Sequence, residues 1–344
     1  MSPNLNTSPH QDRRRQRQYV WFVRYGLTEH PLVEDLGPYD SDIDPMEGID
    51  HAKNIAKRIA AGIHNIHETS TAAASENGIE QEVENNESLP TVVYASPFLR
   101  TAHTGYIIAN ELQNCVNEND NKGTVELRVE EGLWEWLIPS LLVTKCDGIK
   151  TNPRPLEVLS DKLLELEQTD NDANAATIAL NYNSVNPYDD SGDEGMTCVP
   201  VRTEASSPQD AANGDKPGQK HRPRWIESES DLLKRCETTL EGLLSLHPGG
   251  NSFCIVSHAP CDQAMAFALE QGAATPEESN LAPWPLGGIT VFSRPVGRKD
   301  DGSDDSGDSS NGEWTMDLYG NTEHMPGDYK AGLKEWSLPC FAKK

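Results

Sequence analysis

The chain has 344 residues, enough for one large domain or two small ones, and only 36% of them are hydrophobic. A fraction that low at this length describes a real core diluted by polar insertions. The formal net charge of -26 repels nucleic acid and anionic membranes, so a site for an anion has to be a local basic pocket working against the global field.

Residues 1–18 carry Arg13, Arg14, Arg15 and Arg17 but no hydrophobic run. They read as a disordered basic arm rather than a secretory signal, with a nuclear or organellar address as the alternative. Tyr19, Val20, Trp21, Phe22 and Val23 follow, a short β-branched and aromatic run that suits a fully buried strand. The strand runs into Arg24, Tyr25 and Gly26, where a glycine permits a sharp turn or close backbone approach. After a loop over 27–50, Ile49, Ala52, Ile55, Ala56, Ile59, Ala60 and Ile63 repeat at three and four, predicting a helix that Asp50 helps to cap. His64 and His67 on it read as solvated surface histidines.

The stretch 68–90 is polar, acidic and free of aromatics, and reads as a flexible insertion. TVVYA at 91–95 is a second buried strand, followed by a turn at Pro97 and a helix through Leu112. A third strand is expected at 125–129, a helix at 156–166, and little order over 183–224. An amphipathic helix spans 228–246 and is stopped by His247-Pro248-Gly249-Gly250. A strand at 253–256 delivers Ser257 and His258, and 264–269 reads as helix. Strands at 287–293 and 314–319 form a hairpin around the acidic low-complexity stretch 300–313. Together these give one α/β domain over 19–340, a mostly parallel central sheet flanked by helices, with flexible insertions near 68–90, 183–224 and 300–313.

The seven cysteines include no CxxC pair and are odd in number. That argues against a disulfide framework or a structural zinc site and for a reducing, cytoplasmic setting. No apolar run approaches the length of a membrane span. No metal or cofactor is expected, and the pattern carries no signal for an oligomeric state.

Arg24, Arg100 and His258 each follow a buried apolar run and lead into a turn or helix. In a parallel sheet such strand ends gather on one edge. Two arginines and a histidine there suit a phosphate group, because a guanidinium matches phosphate oxygens and stays charged. Helix N-termini after Arg100 and His258 add backbone donors.

FVRYG at 22–26, YASPFLRTAHT at 94–104, LRVEEGLWEW at 127–136, FCIVSHAP at 253–260 and NTEHMPG at 321–327 resemble the histidine phosphatase, or phosphoglycerate mutase-like, superfamily. The likeness is to its eukaryotic branch of TULA/Sts-type and ecdysteroid-phosphate phosphatases, and it spans about 19–330 apart from the insertions. The resemblance implies a two-step phosphoryl transfer through a phosphohistidine, with Arg24 and Arg100 clamping the phosphate. His258 would be the second pocket histidine, and Glu131 would lie in the motif carrying the proposed general acid. The departure is Tyr25, where the family has its nucleophilic histidine. The branch also continues with an arginine where this chain has Leu27 and Thr28. A free tyrosine, with a reference pKa near 10, is phenolate in roughly one molecule in a thousand at pH 7. His30 and His103 are the nearby candidates for a replacement, and both read as incidental.

The expected protein is therefore a pseudophosphatase or very weak phosphatase that binds phosphate, a phosphorylated small molecule or a phosphoprotein. The alternatives are an active phosphomonoesterase using Tyr25, His258 or water, and a non-catalytic interaction scaffold.

Overall fold

The computed structural model describes residues 17–28, 41–62, 89–118, 123–136, 156–170, 175–179, 182–186, 227–248, 250–270, 273–296, 312–327 and 335–341. Of the insertions expected near 68–90, 183–224 and 300–313, residues 68–88, 187–224 and 300–311 lie outside the described residues, as do residues 1–16 of the arm expected over 1–18, His30, His64 and His67; Arg17 and Gln18 of that arm instead open a strand.

Strand β1 (Arg17–Arg24) is central because both of its faces are apolar. Tyr19, Trp21 and Val23 enter one core; Val20 and Phe22 enter the other. Trp21, Phe22 and Val23 are fully buried, and burying each such side chain contributes roughly 1.5–3 kcal/mol. A run that is apolar on successive residues is stable only between two covering layers.

Those layers are helices. On the Trp21 side lie α1 (Glu47–Ala60), α2 (Leu99–Glu118) and α3 (Leu156–Asp170). On the Phe22 side lie α4 (Glu229–Ser245) and α5 (Ala259–Leu269). The periodicity of α1 buries Ala52, Ile55, Ala56 and Ile59 as expected. Its start is fixed by Asp44, which accepts from the amides of Met46 at 2.9 Å and Glu47 at 2.7 Å, and not by Asp50, which lies within the first turn. Helix α4 begins with a capping box between Ser228 and Asp231.

The remaining strands are β2 (Val92–Ala95), β3 (Glu126–Val129), β4 (Thr177–Ile178), β5 (Phe253–Ser257), β6 (Trp284–Pro285), β7 (Ile289–Pro295), β8 (Thr315–Asn321) and β9 (Glu335–Trp336). The main sheet runs β4-β3-β2-β5-β1-β7-β8, and β6 pairs with β9 separately. The first five strands in that order are mutually parallel; β7 and β8 add an antiparallel hairpin beside β1. The hairpin and the parallel body match the sequence reading. The two-residue strands β4, β6 and β9 escaped it because two residues show no period.

Register places the future site. Arg24 pairs with Ser257 across β1 and β5, and Ala95 pairs with Val256 across β2 and β5. Arg24, Ser96 and His258 therefore leave the sheet at one level of its carboxyl edge. Among the described residues no helix is long and apolar enough to cross a membrane.

Candidate active site

Arg24 ends β1, Tyr25 follows it, His258 follows β5 and Arg100 lies in the first turn of α2. The amide of Tyr25 donates to the Ser257 carbonyl at 3.4 Å, and the Tyr25 carbonyl accepts from Gly287 at 3.3 Å. Gly26 follows because α1 crosses here: a Cβ at this position would stand 2.9 Å from the Gly48 carbonyl oxygen. Arg24 donates from one terminal nitrogen to the Trp284 carbonyl at 2.8 Å.

Around Tyr25 the expected residues come together. The Arg100 guanidinium lies 4.9 Å from the Tyr25 ring centre and 4.9 Å from that of Phe98. The Arg24 guanidinium is 6.0 Å from the Tyr25 ring. The His258 imidazole meets the same ring edge-on, with centres 5.5 Å apart. Arg100 and His258 are almost wholly buried, whereas Tyr25 keeps partial exposure.

One member of the centre was not singled out in the sequence. Glu131, expected to carry the acid, opens a short 3-10 turn (Glu131–Leu133). The carboxylate that reaches the centre is Glu135, four residues on. Its Oε2 lies 2.8 Å from His258 Nδ1 and 3.1 Å from Arg100. His103 is also accounted for, since its Nδ1 pairs with Asp42 at 2.8 Å.

The protonation pattern follows from these contacts. Burial drives His258 down to about 4, against the pull of Glu135, so above that pH the ring is neutral. Burial pushes Glu135 up, but His258, Arg100 and Arg24 together outweigh it and hold the carboxyl at about 2. At neutral pH a carboxylate thus faces a neutral imidazole. The short contact assigns the imidazole proton to Nδ1, donating to Glu135, and leaves Nε2 to accept from the Ser96 hydroxyl at 2.9 Å. The centre at pH 7 carries two guanidinium charges against one carboxylate.

Asp262, in the first turn of α5, is fully buried, and neither carboxyl oxygen has a hydrogen-bond partner among the described residues. Burial raises its pKa well above the carboxylate range; Cys261 and Glu135 add to the rise and Arg24 opposes it. A carboxyl whose folded pKa is raised binds more protons folded than unfolded. Its contribution is full below the unfolded value near 4 and is lost as pH rises through the folded value. Asp262→Asn is therefore expected to be more stable than wild type at neutral pH and to flatten the decline in stability above pH 4. Urea unfolding between pH 4.5 and 8 checks this, and a parallel decline in both proteins would contradict it.

No protein-family model matches the chain, and no curated protein matches it in sequence. Solved structures similar to it include a mycobacterial glucosyl-3-phosphoglycerate phosphatase, 13% identical, covering 89% of this chain and 100% of that one, with a TM-score of 0.42. The ecdysone phosphate phosphatase of Bombyx mori, in complex with tungstate, is 14% identical over 80% of this chain and 88% of its own, with a TM-score of 0.44. A phosphoserine phosphatase from Entamoeba histolytica, in complex with 3-phosphoglyceric acid, is 16% identical over 90% and 99%, with a TM-score of 0.39. These similar structures are histidine phosphatase family structures.

Proposed function

We propose that this chain is a phosphate-binding protein of the histidine-phosphatase type whose covalent chemistry is lost or reduced to a trace. Arg24, Arg100 and His258 receive a phosphate group or a phosphomonoester, and Tyr25 stands where the attacking imidazole would be. The observation that carries this reading is the Arg100 guanidinium, held over the Tyr25 ring and within hydrogen-bond reach of both Glu135 and His258. A guanidinium at the strand-end edge is the group best shaped for phosphate oxygens. Charge stabilisers alone supply some acceleration, so a trace of hydrolysis fits the same reading. The carboxylate available as proton donor to a leaving oxygen is Glu135 rather than Glu131, and its low pKa makes it a poor donor at neutral pH. The free thiols among the described cysteines fit a cytoplasmic home.

Anion binding tests the pocket. Phosphate or vanadate is expected to raise Tm, because a ligand bound only by the native state stabilises it by RT ln(1 + [L]/Kd). Arg100→Ala is expected to abolish that shift. A shift of equal size in the variant would place the anion elsewhere on the molecule.

A further inference from the structure

Immediately before the turn that carries Glu135 sits a second carboxyl, Glu130, fully buried at the end of β3. It accepts five hydrogen bonds. Two come from side chains, Tyr182 Oη at 2.7 Å and Ser184 Oγ at 2.5 Å. Three come from backbone amides, Gly132 at 2.9 Å, Val185 at 3.0 Å and Asn186 at 3.4 Å. Residues 182–186 pack Tyr182 and Val185 against the core, and four of the five hydrogen bonds that this carboxyl accepts come from them, tying their polar groups to the end of β3.

The same turn is gripped from the opposite side. The Gly132 carbonyl accepts from Arg235 at 2.7 Å, and Arg235 is forked onto Glu227 by two contacts of 2.7 Å. Trp136 donates its indole proton to the Glu227 carbonyl at 2.9 Å. Asn186 closes the ring by donating to Thr239 at 3.0 Å. Gly132 has no room for a side chain, since a Cβ would lie 2.3 Å from Thr239 Oγ1.

We propose that Glu130 is the positioning residue of the site: by gathering the donors of Gly132 and Tyr182–Asn186 it fixes the 131–136 turn so that the Glu135 carboxylate meets His258 and Arg100. Glu130 does not touch His258 or a ligand; it acts through Glu135. Five donors converging on one carboxyl tolerate no substitute that donates. Glu130→Gln turns an NH2 toward at least one of them, and the turn must shift to relieve the opposed donors.

The test reads where the His258 proton sits. With Glu135 in place, Nδ1 carries the proton; with Glu135 displaced, Arg100, 3.3 Å away, donates to a bare Nδ1 and the proton moves to Nε2. Imidazole nitrogen shifts of 15N-histidine-labelled protein at pH 7.5 distinguish the two tautomers. Wild type is expected to show Nδ1–H, Glu135→Ala to show Nε2–H, and Glu130→Gln to move the ratio toward Nε2–H by roughly tenfold or more. In the Glu135→Ala background Glu130→Gln is expected to change nothing further, a non-additivity that general loosening of the fold would not produce. Tyr182→Phe and Ser184→Ala, each removing one donor, are expected to shift the ratio in the same direction by less, and they decide the matter if Glu130→Gln does not fold. A wild-type Nδ1–H ratio in all the folded variants would overturn the proposal, as would an Nε2–H wild type. The inference rests on the phosphate-pocket reading only for its ligand consequence, a several-fold tighter Kd for inorganic phosphate in Glu130→Gln. Phosphate that binds no variant would sink the pocket reading, while the tautomer ratio would still decide the role of Glu130.

Discussion

Glu135→Gln is expected to bind inorganic phosphate ten- to a hundredfold more tightly than wild type. Glu135 now takes up the Nδ1 proton of His258 and one nitrogen of Arg100, the same groups an incoming phosphate would use. The carboxylate is therefore an internal competitor for the anion. Two like unit charges about 5 Å apart repel by about 3 kcal/mol at an effective dielectric constant near 20, which is about a hundredfold in affinity. The Glu135 side chain is 16% exposed, and partial exposure screens the repulsion toward the lower figure. Because the carboxyl is held at about 2, acidifying wild type from pH 8 to 6 does not neutralise it and brings no tightening from this source. Calorimetric titration with phosphate at fixed ionic strength measures both effects. Affinity that is unchanged or weaker in Glu135→Gln would show that the carboxylate does not compete for the pocket.

The second large effect is expected from Tyr25→His. Wild type should accumulate no acid-labile phosphoenzyme and turn over an aryl phosphate only at a trace rate. Restoring an imidazole gives the pocket a group that attacks phosphorus and later releases it, splitting one difficult transfer into two easier ones. Removing a nucleophile from a serine protease costs about a millionfold, so even a poorly aimed replacement leaves room for a gain of about a hundredfold or more. Adding Thr28→Arg supplies the charge whose position Thr28 occupies and is expected to raise the rate further. Tyr25→Phe, in contrast, should leave the wild-type trace untouched. Robust wild-type turnover that disappears in Tyr25→Phe would establish tyrosine as the nucleophile and defeat the reading offered above. Turnover that survives Tyr25→Phe and vanishes in His258→Ala would point to His258 or a water that it activates.

Arg24, Arg100 and His258 were legible in the sequence for one physical reason. Arg24 directly follows an apolar run, and His258 and Arg100 come within a few residues of one; a run with no polar alternation must be a strand buried on both sides, and the polar groups just past its end gather on one edge of a parallel sheet. Glu135 was not legible. EGLWEW holds two acids, and which of them faces the pocket depends on a 3-10 turn set by the Glu130 bond to the Gly132 amide. Sequence spacing contains no trace of that bond. Tyr182–Asn186 was hidden for a related reason. The sequence assigns 183–224 to flexible chain because it has little to bury, but bonds to the buried Glu130 carboxyl and the packing of Val185 beside Gly242 order its first residues. The side chain that holds the start of α1 is Asp44 rather than Asp50, with Met46 at the cap position itself, because the hydrophobic period marks a helix face and says little about its first residue.

The main-chain bonds of residue 25 separate the fate of the chemistry from the fate of the fold. Its amide and carbonyl are satisfied by Ser257 and Gly287, and neither bond depends on which side chain the residue bears. The strand before it is anchored by two cores at once. A different residue at 25 would have the same backbone to stand on. An exchange at this position would keep these main-chain bonds and change what the side chain offers to Arg100 and His258, so the backbone and the site's chemistry answer to separate parts of one residue.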